Sequence, residues 1–151
     1  VVRVVWNTND IDISDLLKMF WECHNPTQKD RQGNDIGTQY RSAIYYTNDR
    51  NKNKIYSSKE AYQKELKASN FGLIETEIKM INNYYYAEEY HQQYLALEGS
   101  RQYCSASPTK VKLGNFNNSN FKLPEEIWDN FNWEVDKCVL RSNNKPIKIN
   151  N

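Results

Sequence analysis

LIETEIKM, residues 73–80, sets Ile74, Thr76, Ile78 and Met80 against Glu75, Glu77 and Lys79 in strict alternation. A period of two is the mark of a strand with one buried face. Working upstream, Ser57 and Glu60 make a Ser-x-x-Glu capping box that predicts a helix running to about Asn70, with Gly72 as its stop signal. Asn48–Ile55 reads as a charged turn, and Tyr40–Tyr46 as a strand carrying Ala43, Ile44, Tyr45 and Tyr46. Asn25–Gln39 is polar, holds Gly33 and Gly37, and reads as a loop. Structureless connections of about 15 residues are uncommon in compact domains and are often functional. Ile13, Leu16, Leu17, Phe20 and Trp21 recur at helical spacing, predicting a helix over Ile13–His24 with Ser14 as N-cap and Pro26 beyond its end. Val1–Trp6, polar only at Arg3, reads as a strand. Downstream, Tyr86, Tyr90, Tyr94 and Leu97 predict a short helix with an aromatic face. Strand, helix, strand, helix, strand, helix implies a two-layer α/β domain ending near residue 98.

Composition narrows the classes. The 151 residues carry 20 Lys plus Arg and 19 Asp plus Glu, a net charge of +1, without the basic excess of a nucleic-acid binder. No apolar run exceeds five residues, where a spanning helix needs about 20, so no membrane role is expected. Four Trp, 11 Tyr and 5 Phe are too many aromatics for a disordered chain. Three cysteines, an odd number, do not suggest a disulfide scaffold, and no signal-peptide pattern opens the chain. A single soluble intracellular domain is expected. Beyond Gly99 the pattern weakens: Asn115–Asn120 reads as a turn, Pro124 through Trp128 as a short helix, Val135–Leu140 as a short strand, and Lys145–Asn151 as a frayed end.

The residue types offer limited chemistry on their own. Cys23 and His24 are adjacent but lack a second ligand pair at zinc spacing. Asp35 sits in a glycine-flanked loop five residues before Tyr40. A carboxylate and a phenol there suit either a polar ligand or an ordinary turn and a half-buried strand. Cys104, between Tyr103 and Ser105, reads as an accessible thiol, whereas Cys138 and Cys23 fit packing positions. His91, on a tyrosine-rich helix, fits a structural histidine.

Two longer stretches carry a resemblance. FWECHNPTQKDRQGNDIGTQYRSAIY (Phe20–Tyr45) and YYAEEYHQQYLA (Tyr85–Ala96) resemble signature blocks of the methionine sulfoxide reductase A family, and LIETEIK is similar to the strand between them. The resemblance covers residues 1–106, leaving 107–151 as an irregular C-terminal tail. It implies a two-layer, ferredoxin-like α/β sandwich with a mixed sheet. It also implies reduction of the S-epimer of methionine sulfoxide, free or in proteins, back to methionine. A cysteine thiolate attacks the sulfoxide sulfur while a carboxylic acid and two tyrosines serve the departing oxygen; a second cysteine then forms a disulfide, which thioredoxin reduces. Matched by position, Asp35 is the aspartate of Gly-Asn-Asp, Tyr40 is the tyrosine that hydrogen-bonds the sulfoxide oxygen, His91 and Tyr94 are the supporting polar pair, and Cys104 is the recycling cysteine. No metal or organic cofactor is implied, thioredoxin being the reductant. The expected partners are oxidised proteins or free methionine sulfoxide, met by a cytoplasmic monomer.

The chain departs from the family pattern in one direction. The family's nucleophile stands in Gly-Cys-Phe-Trp-Gly, which occurs nowhere in these 151 residues. Its acid, the glutamate of Gly-His-Ala-Glu, directly precedes the Val-Val at which this chain opens. The expectation is an N-terminally truncated reductase whose sandwich lacks its first strand and helix and which is inactive alone. The alternative is a catalytically dead homologue that binds oxidised proteins. Cys23, which replaces a family asparagine, lacks the setting that lowers a nucleophile's pKa.

Overall fold

The computed structural model describes residues 1–92 and 106–119. Two helices, α1 (Ile13–Glu22) and α2 (Lys52–Ala68), pack against a parallel pair of strands, β3 (Ala43–Tyr46) and β4 (Glu77–Met80). A small antiparallel hairpin, β1 (Arg31–Gln32) and β2 (Asp35–Ile36), stands ahead of them in the chain. The α/β character expected from the alternating pattern is what forms. Parallel strands require a crossover, and α2 supplies it between β3 and β4.

The register sets Ile44 opposite Ile78 and Tyr46 opposite Met80. Ile44, Tyr46 and Ile78 turn to the helices, joining a core of Leu17, Trp21, Ile55, Tyr62, Leu66, Ile74, Leu113 and Phe116. Trp21, fully buried, stacks on Tyr62 at 5.8 Å between ring centroids and donates its indole N–H to Ser58 Oγ at 2.9 Å. That bond matters because a buried indole N–H without a partner is costly.

Several boundaries differ from the sequence expectation. Val1–Trp6 forms no strand, and Val1, Val2 and Val5 are exposed. A strand needs a neighbour's N–H and C=O groups; what is seen instead is a side-chain bond from Arg3 to the Tyr86 hydroxyl at 3.2 Å. The N-cap of α1 is Asp12, whose carboxylate accepts from the Ser14 amide at 2.8 Å, with Asp15 completing the capping box. Helix α2 begins at Lys52, and the Ser57 hydroxyl donates back to the Lys54 carbonyl rather than capping. It ends at Ala68 and is closed by Asn70, not by a glycine: Asn70 takes φ +62°, and the Phe71 amide reaches back to the Leu66 carbonyl at 2.9 Å. This is the backbone pattern by which a left-handed residue closes a helix.

Ile74 and Thr76 are buried as the alternation requires, yet the ladder starts only at Glu77 because the Glu75 amide goes to the Pro26 carbonyl at 2.8 Å. Of the aromatic-faced helix, the described part holds only a short 3-10 turn at Glu89–His91, with Tyr86 and Tyr90 exposed. The predicted helix at Pro124–Trp128 and strand at Val135–Leu140 lie outside the described residues. Among the described residues, no helix is long and apolar enough to cross a membrane.

Candidate active site

The segment read as one loop, Asn25–Gln39, is built. Arg31 pairs with Ile36 and Gln32 with Asp35, leaving Gly33 and Asn34 as a two-residue hairpin turn with Gly33 at φ +58°. Gln28 fixes that turn by accepting the Gly33 amide at 2.8 Å, and the Arg31 guanidinium donates to the Gly33 carbonyl. Asp35, half-buried, therefore sits on a strand whose register is set.

The chain leaves the hairpin at Gly37, whose φ of +141° and ψ of +156° lie in a region open almost only to glycine. Its amide returns to the Asp30 carbonyl at 2.8 Å, and its carbonyl accepts the Tyr40 amide at 3.0 Å. Thr38–Tyr40 is thus a single 3-10 turn, so Tyr40 belongs to a turn and not, as expected, to the strand that starts at Ala43. The Tyr40 ring folds back until its edge is 3.7 Å from where a Gly37 β-carbon would stand. Its side chain remains partly open to solvent. Asp35 and Tyr40 are carried by one hydrogen-bonded unit, joined through Gly37.

The next two residues anchor that unit. Ser42 Oγ lies 2.7 Å from His24 Nε2 and 2.8 Å from Thr76 Oγ1. The other ring nitrogen, Nδ1, is 2.7 Å from the Phe20 carbonyl, which can only accept, so Nδ1 carries the proton and Nε2 accepts from Ser42. Burial pushes the His24 pKa down to about 4, against the pull of the Phe20 carbonyl. His24 is a neutral pin between α1, the start of β3 and the approach to β4. Arg41 faces outward and meets Glu77 at 2.6 Å, holding that carboxyl below the usual carboxylate range.

His91 lies in the 3-10 turn after Glu88, exposed, with its ring against Tyr90 at 4.5 Å. Tyr94 and Cys104 lie outside the described residues. Cys23 is half-buried at the end of α1, with Sγ 3.3 Å from the Phe20 carbonyl. Among the described residues, no three of His, Cys, Asp and Glu converge as a metal set. Sequence reasoning passed over the roles of Ser42, Thr76 and Arg41, each of which has a partner at least 18 residues away; a local hint was His24 spaced four residues from Phe20.

The profile of the peptide methionine sulfoxide reductase family matches residues 1–123. A peptide methionine sulfoxide reductase MsrA of Pseudomonas entomophila is 51% identical over 113 residues, 75% of this chain and 50% of that protein. The mitochondrial peptide methionine sulfoxide reductase of Homo sapiens is 51% identical over 111 residues, 74% of this chain and 47% of that protein. The chain spans about half the length of the curated relatives it matches. Among solved structures, reduced Mxr1 of Saccharomyces cerevisiae aligns with a TM-score of 0.59 at 35% identity, over 68% of this chain and 55% of that one. The matched region takes in the hairpin, the Gly37 turn and the strand pair that support Asp35 and Tyr40, and with it this chain belongs to the peptide methionine sulfoxide reductase family.

Proposed function

We propose that this chain provides the oxygen-binding half of a methionine-S-sulfoxide reductase. The observation that carries the reading is the hydrogen-bonded unit joining Asp35 to Tyr40 through Gly37. A sulfoxide oxygen bears partial negative charge, which grows as the sulfur is attacked. A phenol donates to it directly, and Asp35 is carried on the same hydrogen-bonded unit as that phenol. In the reaction a cysteine sulfur attacks the sulfoxide sulfur and ends as a sulfenic acid carrying the oxygen, while the substrate leaves as the two-electron-reduced thioether. A second thiol, Cys104 in this reading, displaces that oxygen as water and forms a disulfide, which thioredoxin's dithiol reduces. His91 and Tyr94 support the polar side of the site. No metal or organic cofactor takes part, and the protein acts in the cytoplasm as a monomer on free or protein-bound methionine sulfoxide.

The attacking cysteine is not supplied by Gly-Cys-Phe-Trp-Gly within these residues, so the 151-residue chain gives no turnover by itself. The test joins the part of the Pseudomonas entomophila relative that precedes the matched region to Val1. The fusion reduces a methionine-S-sulfoxide peptide with dithiothreitol, and the chain alone does not. In the fusion, Tyr40→Phe lowers kcat/KM by about 10²-fold, the scale of losing one donor to a developing oxyanion, and Asp35→Ala lowers it as well. A folded but inert fusion, or full activity in both variants, defeats the reading.

A further inference from the structure

We infer that Arg41 is a positioning residue that acts through Tyr40, clamping the Thr38–Tyr40 turn onto the outer face of the β3–β4 pair. The inference rests on the reading above, in which the Tyr40 hydroxyl meets the sulfoxide oxygen. Three elements converge on one guanidinium. Arg41 Nη1 donates to the Thr38 carbonyl at 2.7 Å, within the turn itself. Nη2 donates to the Tyr45 hydroxyl at 2.8 Å, on β3. Nε donates to Glu77 Oε2 at 2.6 Å, at the start of β4. Tyr45 closes the set by donating to the same Glu77 oxygen at 3.2 Å.

The geometry has a reason in the strand period. Residues 41, 43 and 45 fall on one side of the β3 path, and Glu77, opposite Ala43, falls on that side of β4. The opposite face carries Ile44, Tyr46 and Ile78 into the core. The outer face is thus free to hold a polar clamp without burying charge. The Thr38 carbonyl also accepts the Arg41 amide at 3.3 Å, so main chain and side chain of one residue close on the same atom. This closure finishes the turn immediately after Tyr40. Only a planar, multi-donor head can reach the turn, the phenol and the carboxylate together; an ammonium of similar charge satisfies the ion pair but not the span. An exposed Arg–Glu pair alone contributes little to stability, which leaves the positioning of the turn as the larger effect.

The experiment uses the fusion described above, its attacking cysteine replaced by serine so that the probe binds without turnover, and N-acetyl-methionine-S-sulfoxide N-methylamide as the probe, with binding measured by calorimetry and backbone order by amide hydrogen exchange. Arg41→Ala weakens probe binding about tenfold, as Tyr40→Phe does, and the double variant is no weaker than Tyr40→Phe alone. Arg41→Lys does not restore binding, whereas millimolar guanidinium partly restores it in Arg41→Ala. In the same variant the Tyr40 and Arg41 amides exchange faster while those of β3 and β4 keep their protection. Additive losses in the double variant, binding kept within twofold in Arg41→Ala, or full rescue by lysine would overturn the inference. If the wild type does not bind the probe, or Tyr40→Phe leaves binding unchanged, the sulfoxide reading fails instead. The exchange arm then still judges the clamp: unchanged Tyr40 exchange, or loss of protection throughout the sheet, refutes it.

Discussion

His24 shows how much one side chain sets at this site. Its ring is buried and neutral, with a pKa near 4 against an ordinary 6.5, because burial disfavours the charged form. Between those two values the unfolded chain holds a proton that the folded chain does not. Stability therefore falls as pH drops from 6.5 toward 4, by about 3 kcal/mol in all, and is unaffected by this group above 6.5. Urea unfolding at pH 7 and pH 5 is expected to show this slope, and His24→Gln is expected to flatten it. Asp12 works in a lower window. The Ser14 amide, then Lys54, bring its pKa to about 2, so its contribution is present above 3.8 and is lost as pH falls through 2. Asp12→Ala removes the cap of α1 and is expected to cost about 1 kcal/mol at neutral pH.

At the scale of elements, the turn between the hairpin and β3 depends on one glycine. A β-carbon at Gly37 would meet nothing closer than 3.7 Å, so space is not the constraint; the backbone at φ +141° is. Gly37→Ala is expected to cost about 1–3 kcal/mol in chemical denaturation, and to displace Tyr40 relative to Asp35, read as weaker sulfoxide binding. Elements were legible in the sequence where their cause is local. The alternation of Ile74–Met80 and the periodicity of Ile13–Trp21 are properties of neighbouring residues, and both elements formed, the strand trimmed by a hydrogen bond at Glu75 and the helix starting at Ile13 as expected and ending at Glu22. Val1–Trp6 has strand composition but needs a partner's backbone, which composition does not report. The Asp35–Tyr40 unit was found by resemblance and not by pattern. Its anchors, Arg41 to Glu77 and Ser42 to Thr76, join residues more than 30 apart and leave no periodic trace.

At the scale of the whole molecule, the described stretch 106–119 has no regular secondary structure, yet Leu113 and Phe116 belong to the core. Its backbone polar groups are met by side chains of the two helices. Lys18 Nζ donates to the Gly114 carbonyl at 2.9 Å, and the Tyr62 hydroxyl donates to the Val111 carbonyl at 3.0 Å. Glu22, buried at the end of α1, accepts the Leu113 amide at 2.9 Å and faces Lys112 Nζ at 3.7 Å. A segment held this way keeps Leu113 and Phe116 in the core, and Glu22 fastens it at Leu113. Glu22→Ala leaves the buried Leu113 amide without its acceptor, which costs about 1–3 kcal/mol for that group alone. Glu22→Gln keeps an acceptor oxygen of nearly the same shape and is expected to cost less. Leu113→Ala removes the apolar contact and is expected to cost about 2–5 kcal/mol. Limited trypsin digestion separates the two kinds of loss. With the segment released in Glu22→Ala, cleavage after Lys110 and Lys112 precedes cleavage within α2. In Leu113→Ala the hydrogen bond from the residue 113 amide to Glu22 persists, and cuts at the two sites follow global unfolding. Equal cleavage order in both variants would mean that apolar packing, not the Glu22 carboxylate, fastens this segment.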